Sequence, residues 1–235
     1  MNTLEIIFWG LLGGIIPPLI WVWFWLQEDR LHPEPRGLIL RCFIGGMLAV
    51  MLALVAENAL QSFFGSTTNL LLFLWAGVEE ISKFLAAYLI AFRRNKEYDE
   101  PVDALIYFIT VALGFAALEN ALFLISEFQS GNIIGGLATI DLRFIGATLL
   151  HVLSSSIIGT AAAWTYYKKK YIRHSFIIFA LSAAILVHTL FNIFILKQGH
   201  VSNLFLVFSF VWVALMILLV VFEKIKRLPF YRYRK

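Results

Sequence analysis

Eight side chains in this sequence combine reactive chemistry with an apolar setting: Glu57, Glu79, Glu80, Lys83, Glu119, His151, His188 and Asn192 all lie inside long hydrophobic runs. A charged group at the centre of a bilayer costs at least about 2.5–3.5 kcal/mol on insertion scales, so each one requires a reason to be there. Two imidazoles and one carboxylate, with water in the fourth position, make the usual catalytic zinc shell. Glu119, His151 and His188 are the candidates for that set, with Glu79 or Glu80 as general base on the bound water. A metal-free scheme uses the same groups. A glutamate paired with a histidine deprotonates water directly, and His188 and Asn192 stabilise the oxyanion. Residue types alone leave both schemes open, and the sequence has no HExxH signature.

Spacing refines the roles. Glu79 and Lys83 stand at i and i+4, the better order for a helical ion pair. Glu80 points about 100° away from Glu79, so the two carboxylates are expected to do different jobs, Glu80 lying nearer the chemistry. His151 and Ser155 share a face, as do His188 and Asn192. Ser154, Ser155 and Ser156 read as small packing residues, with a Ser–His pairing as the rival. Glu57 reads equally well as a packing partner or as lining of the site. Asp103, after Pro101, reads as a helix N-cap.

These groups need elements to hold them. The chain has 235 residues, of which 60% are hydrophobic and 14% charged, against about 25% charged in soluble domains. Its solvent is therefore mostly lipid. The net charge of +4 comes from short basic clusters between apolar runs, which suit a membrane surface rather than nucleic acid. The single cysteine, Cys42, excludes a disulfide framework within the chain. At roughly 20 apolar residues per span, the sequence predicts an all-α, polytopic membrane bundle of about seven helices. They cover approximately 4–26, 38–63, 70–92, 103–127, 144–167, 174–196 and 203–223, in one domain spanning 1–235. Pro17 and Pro18 are expected to kink or break the first span. The first apolar stretch lacks a basic leader and reads as a span rather than a cleaved signal.

Basic residues fix the expected orientation. Arg30 and Arg36 lie in the first loop, Arg93, Arg94 and Lys96 in the third, and Lys168, Lys169, Lys170 and Arg173 in the fifth. Lys224, Lys226, Arg227, Arg232, Arg234 and Lys235 occupy the tail, whereas the intervening loops hold only Arg143 and Lys197. Odd loops and the C-terminus are thus expected in the cytoplasm and the N-terminus outside. With that orientation, Glu79, Glu80, Glu119, His151 and His188 fall in one layer roughly 10–15 Å below the outer surface.

Several of these residues carry a resemblance. Glu79-Glu80-Ile81-Ser82-Lys83 resembles the EExxK motif of the PrsW family of intramembrane proteases. Phe115-Ala116-Ala117-Leu118-Glu119 matches its FxxxE element, Asp99-Glu100-Pro101-Val102-Asp103 looks like its loop, and His151 and His188 fall in the later histidine-bearing spans. More remotely, the chain is similar to the CAAX prenyl protease and bacteriocin-processing superfamily. His188-Thr189-Leu190-Phe191-Asn192 fits its HxxxN element, while Glu119 replaces the histidine of its FxxxH element, which shifts weight to His151. The resemblance implies a multi-pass protease of the bacterial plasma membrane. Its substrate would be a single-pass membrane anti-sigma factor, cut on the extracellular side as the first cleavage of regulated proteolysis. The expectation is therefore an intramembrane peptide-bond hydrolase, with Zn2+ more favoured than a metal-free mechanism and lipid and a transmembrane substrate as partners. A proton- or ion-coupled transporter using the same groups is the alternative, and a non-catalytic scaffold for other membrane helices a third reading. Transporters commonly show internal repeats, and none is evident here.

Overall fold

The computed structural model describes residues 2–28, 33–93, 95–131, 146–197 and 201–228. Arg30, Arg94, Arg143, Arg232, Arg234, Lys235 and the side chain of Lys197, on which the charge-based orientation partly draws, lie outside the described residues. Seven α-helices follow one another, and no strand occurs among the described residues. They are α1 (Thr3–Glu28), α2 (Arg36–Phe64), α3 (Asn69–Ala87), α4 (Pro101–Gln129), α5 (Thr148–Trp164), α6 (Lys170–Lys197) and α7 (Val201–Lys226). A π-helical turn, Tyr88–Phe92, extends α3. Helices dominate because a backbone in lipid must satisfy its own hydrogen bonds. The chain is a polytopic membrane protein. Among the described residues α1, α2, α4 and α6 are long and apolar enough to cross a bilayer unaided. Helix α3 carries Glu79, Glu80 and Lys83, and α5 has only 17 residues.

Pro17 and Pro18 do not break α1, which runs on through both. Prolines lie within transmembrane helices where neighbouring segments and local adjustment accommodate the freed carbonyls, here those of Gly13 and Gly14. Asn2 and Glu5 cap the helix start reciprocally, each backbone N–H donating to the other's side chain at 2.9 and 2.8 Å.

Helix α4 is the hub. Every residue from Pro101 to Ala117 is buried, against α1, α2 and α5. Its start corrects one expectation: Glu100, not Asp103, is the N-cap, with Pro101 following. Asp103 sits at N3 of a capping box, its carboxylate accepting from the N–H groups of Asp99 and Glu100 at 2.9 and 2.7 Å. The physical reason is that Pro101 already fills the first helical position, where its missing N–H is harmless. Tyr107, one turn further on, donates to Glu34 and so ties in the segment before α2.

Small residues let the backbones meet. A methyl group on Gly46 of α2 would lie 2.0 Å from the Val111 carbonyl oxygen and 2.8 Å from Phe115 N. Reciprocally, one on Gly114 of α4 would lie 1.9 Å from the Phe43 carbonyl oxygen. Gly14 of α1 abuts the Ala121 backbone in the same manner, at 2.4 Å. On the outside the pattern inverts. Leu52, Val55 and Phe63 of α2 and Phe179 of α6 are exposed, as lipid-facing side chains should be. An apolar cavity of about 440 Å3 lies among α5, α6 and α7, lined in part by Leu150, Leu153, Val187 and Val211.

Candidate active site

Helix α3 supplies the floor of the polar cluster. Thr68 caps it by accepting from Leu71 N at 3.2 Å, and its buried residues Leu72, Ala76, Glu79, Glu80, Lys83 and Ala87 recur at helical spacing on one stripe. That stripe faces α5 and α6, which bring His151 and His188 to it. Glu119 comes from α4. Glu80 is fully enclosed, and Lys83, His151 and His188 are at most 2% exposed.

One oxygen organises the cluster. Glu80 Oε1 accepts from Lys83 Nζ at 2.6 Å, from Ser154 Oγ at 2.8 Å and from the Nδ1–H of His188 at 2.7 Å. The i,i+4 pair of Glu79 with Lys83 expected from spacing is therefore corrected: the lysine pairs at i+3 with Glu80. From there its ammonium also lies 3.1 Å from His151 Nδ1 and 5.3 Å from the centroid of the Phe115 ring. An ammonium can only donate. His151 Nδ1 is thus an acceptor, and its Nε2–H donates to Glu119 Oε2 at 2.8 Å.

Each imidazole is held on one nitrogen by a carboxylate, His151 by Glu119 and His188 by Glu80. The other nitrogen of each turns toward Glu79, whose Oε2 lies 3.9 Å from His151 Nδ1 and 3.7 Å from His188 Nε2. Both gaps exceed hydrogen-bonding distance. Glu79 Oε2 is buried and has no hydrogen-bond partner, and neither does Glu80 Oε2. The Glu57 carboxylate neighbours those of Glu79 and Glu119, and its buried Oε1 is likewise unbonded. Trp75 Nε1 donates to the Glu57 carbonyl at 3.3 Å, pinning α2 to α3 at this depth.

The expected site residues are placed as follows. Glu79, Glu80, Lys83, Glu119, His151 and His188 converge, with Glu57 beside them. Asn192 lies one turn along α6 from His188, half-buried, and makes no hydrogen bond to the cluster among the described residues. The His151–Ser155 pairing does not form, since Ser155 Oγ is buried without a partner. Ser154 is the residue that the sequence reading missed. At i+3 and i+4 from His151, Ser154 and Ser155 straddle its direction about equally, so spacing could not choose between them.

These residues fit a metal ion. Glu79, His151 and His188 each offer a ligand atom, and the three lie within 4.8 Å of one another; a metal on His151 Nδ1 would take the lone pair that accepts from Lys83. The edges of 3.7 and 3.9 Å are near the ~3.4 Å between donor atoms of a tetrahedral zinc site. Carboxylates on the far imidazole nitrogens are the usual outer support of metal-binding histidines. Charge agrees. Glu57, Glu79, Glu80 and Glu119 face one ammonium, that of Lys83, and an excess of buried negative charge calls for protons or a cation. The sequence reading put Glu119 in the ligand set. The three ligand atoms that converge here are those of Glu79, His151 and His188, and Glu119 is bonded to His151 Nε2.

A membrane helix bundle in which carboxylates, imidazoles and an ammonium converge defines a polytopic membrane protein with a buried polar site. The comparisons narrow the class: residues 34–221 match the profile of the PrsW family, described as intramembrane metalloproteases, and the chain belongs to that family. Protease PrsW of Oceanobacillus iheyensis is 30% identical over 191 residues, covering 79% of this chain and 81% of that protein. Protease PrsW of Halalkalibacterium halodurans is 26% identical over 224 residues, 92% and 95% of the two chains. That of Clostridioides difficile is 27% identical over 197 residues, 79% and 78%. No solved structure matches the chain.

Proposed function

We propose that this protein hydrolyses peptide bonds within the membrane, with Glu79 as the reactive carboxylate, supported by His151 and His188. The observation that carries this reading is the orphaned Glu79 Oε2, aimed between two imidazole nitrogens that carboxylates have already oriented. Glu79, His151 and His188 would hold Zn2+. When bound, zinc supplies a water whose pKa is lowered to about 7 and polarises the scissile carbonyl.

The chain's own residues do the rest. Glu80 fixes His188, and Glu119 fixes His151, each by a bond to the nitrogen remote from Glu79. Lys83 balances Glu80 and faces His151. Water adds to the scissile carbonyl carbon, giving its proton to a carboxylate of the cluster. The C–N bond then breaks as that proton passes to the leaving nitrogen. Asn192 donates to the carbonyl oxygen from the half-buried turn beside His188. Enclosure by α3, α4, α5 and α6 keeps bulk water from the charged groups, which strengthens every electrostatic interaction among them.

We take the substrate to be a single-pass membrane anti-sigma factor in the plasma membrane of a bacterium, cut near the outer face as the first step of regulated proteolysis. Support comes from the EExxK-like and FxxxE-like motifs and from the basic-loop pattern, which puts the cluster in the outer half of the bilayer. No observation favours the transporter alternative. The test is reconstitution in liposomes with single-pass anti-sigma factors of the host bacterium. Cleavage by wild type and none by a Glu79→Gln, Glu80→Gln double variant is expected, and full cleavage by the double variant would refute the reading. Metal content by mass spectrometry should give about one zinc per chain, lost in His188→Ala.

A further inference from the structure

Three consecutive serines on α5 are almost equally enclosed, with Ser154, Ser155 and Ser156 at 0, 1 and 3% exposure. Their hydroxyls nevertheless do three different things. Ser156 Oγ donates to the Leu153 carbonyl of its own helix at 2.8 Å, and Ser155 Oγ has no partner. Ser154 Oγ leaves its helix and meets Glu80 Oε1 of α3 at 2.8 Å, with the His151 carbonyl at 3.2 Å. One hydroxyl proton serves one acceptor at a time, and the carboxylate is the stronger.

We infer that Ser154 is a positioning residue for the reaction, acting through Glu80 to hold the ring and tautomer of His188. Glu80 Oε1 is the point where three helices are tied: Lys83 from α3 itself, His188 from α6 and Ser154 from α5. Lys83 is on the same helix as Glu80 and hydrogen-bonds to another helix only at His151 Nδ1, so it does not by itself fix that carboxylate directly against the rest of the bundle. Ser154 does so from α5, the helix that also carries His151. Without its hydroxyl, Glu80 keeps only Lys83 and the Nδ1–H of His188 as partners at Oε1. The Nδ1–H of His188 then loses a fixed acceptor, and Nε2 loses its aim at Glu79. The inference rests on the reading of Glu79 and His188 as part of the reacting set.

The experiment uses full-length protein labelled with 15N at histidine, in detergent micelles, followed by long-range proton–nitrogen spectra. His188→Asn assigns the resonance. Wild type should show the Nδ1–H tautomer of His188 with a hydrogen-bonded proton. Ser154→Ala should shift that resonance and populate the second tautomer, whereas Ser155→Ala and Ser156→Ala should overlay on wild type. Ser154→Thr, which keeps the hydroxyl, should restore the signal. Ser154→Cys, a weak donor of similar size, should fall between and decides the matter if the alanine variant does not fold. With a single-pass reporter cleaved by wild type, Ser154→Ala should lower kcat about tenfold or more with KM within about twofold. A wild-type His188 spectrum in Ser154→Ala, or an equal shift in Ser155→Ala, would overturn the inference. Full cleavage by Glu79→Gln would instead overturn the reading of the site while leaving the Ser154 spectrum to stand or fall by itself.

Discussion

The two sides of α4 cohere by opposite means. Toward α1 and α2 the contact is backbone against backbone, through Gly14 on Ala121, Gly46 on Val111 and Gly114 on Phe43. Beyond its other side, toward α3, α5 and α6, polar side chains cross the gaps: Lys83, Ser154 and His188 meet at Glu80, and His151 meets Glu119. In lipid there is little hydrophobic force to drive helices together, so close packing and interhelical hydrogen bonds must do it. The difference teaches which half tolerates chemistry. The glycine half has no room for a side chain, and the polar half leaves several buried oxygens unbonded, among them Glu79 Oε2 beside the two imidazoles.

The comparison can be broken most severely at that oxygen. Glu79→Gln should lower zinc content together with cleavage, the latter by roughly 10²–10⁴-fold, while the thermal midpoint in detergent stays near that of wild type. A comparable loss of stability would mean that Glu79 is a packing residue. On the other side, Gly114→Val should cost roughly 3 kcal/mol, the upper end for overpacking, because its Cβ would meet backbone at 1.9 Å. Thermal denaturation and yield of folded protein report it. Retained stability would show that α2 and α4 can separate without harm.

Smaller effects sharpen the contrast. Glu119→Gln leaves an acceptor for His151 but removes its charge, and should weaken zinc binding by about 10–100-fold, read by competition with a chelating dye. Unchanged affinity would remove Glu119 from the support of His151. Ser155→Ala, deep in the polar half but without a partner, should change stability by no more than about 0.5 kcal/mol. A large change would expose a bond that the described geometry lacks.

Much of this was legible before the structure. Among the described residues seven helices arise close to the expected spans, since long apolar runs in lipid have one economical conformation, and the titratable residues of five helices do gather at one place. What spacing could not supply was the choice between neighbours. Lys83 is at i+4 from Glu79 and i+3 from Glu80, and Ser154 and Ser155 stand in the same relation to His151. A helix offers both members of such a pair within about 60° of a common direction, and only the third helix decides. In both cases it selects the partner that reaches Glu80. Likewise Glu119 was legible as a site residue but not as the support of His151, because that depends on which nitrogen of the ring faces it.

The reciprocal glycine contact between α2 and α4 also sets a scale. Two ridges that seat in each other's notches cannot slide gradually. They can re-engage only after a whole helical turn, about 5.4 Å. Phe115, next to Gly114, packs against His151 with the rings tilted at 49° and their centres 5.3 Å apart. The depth of the reacting groups is therefore graduated like a vernier and locked at one mark. When the bilayer thins or thickens, the bundle should respond by tilting as a unit, and the height of the cut along a substrate helix should be measured from the protein, not from the membrane.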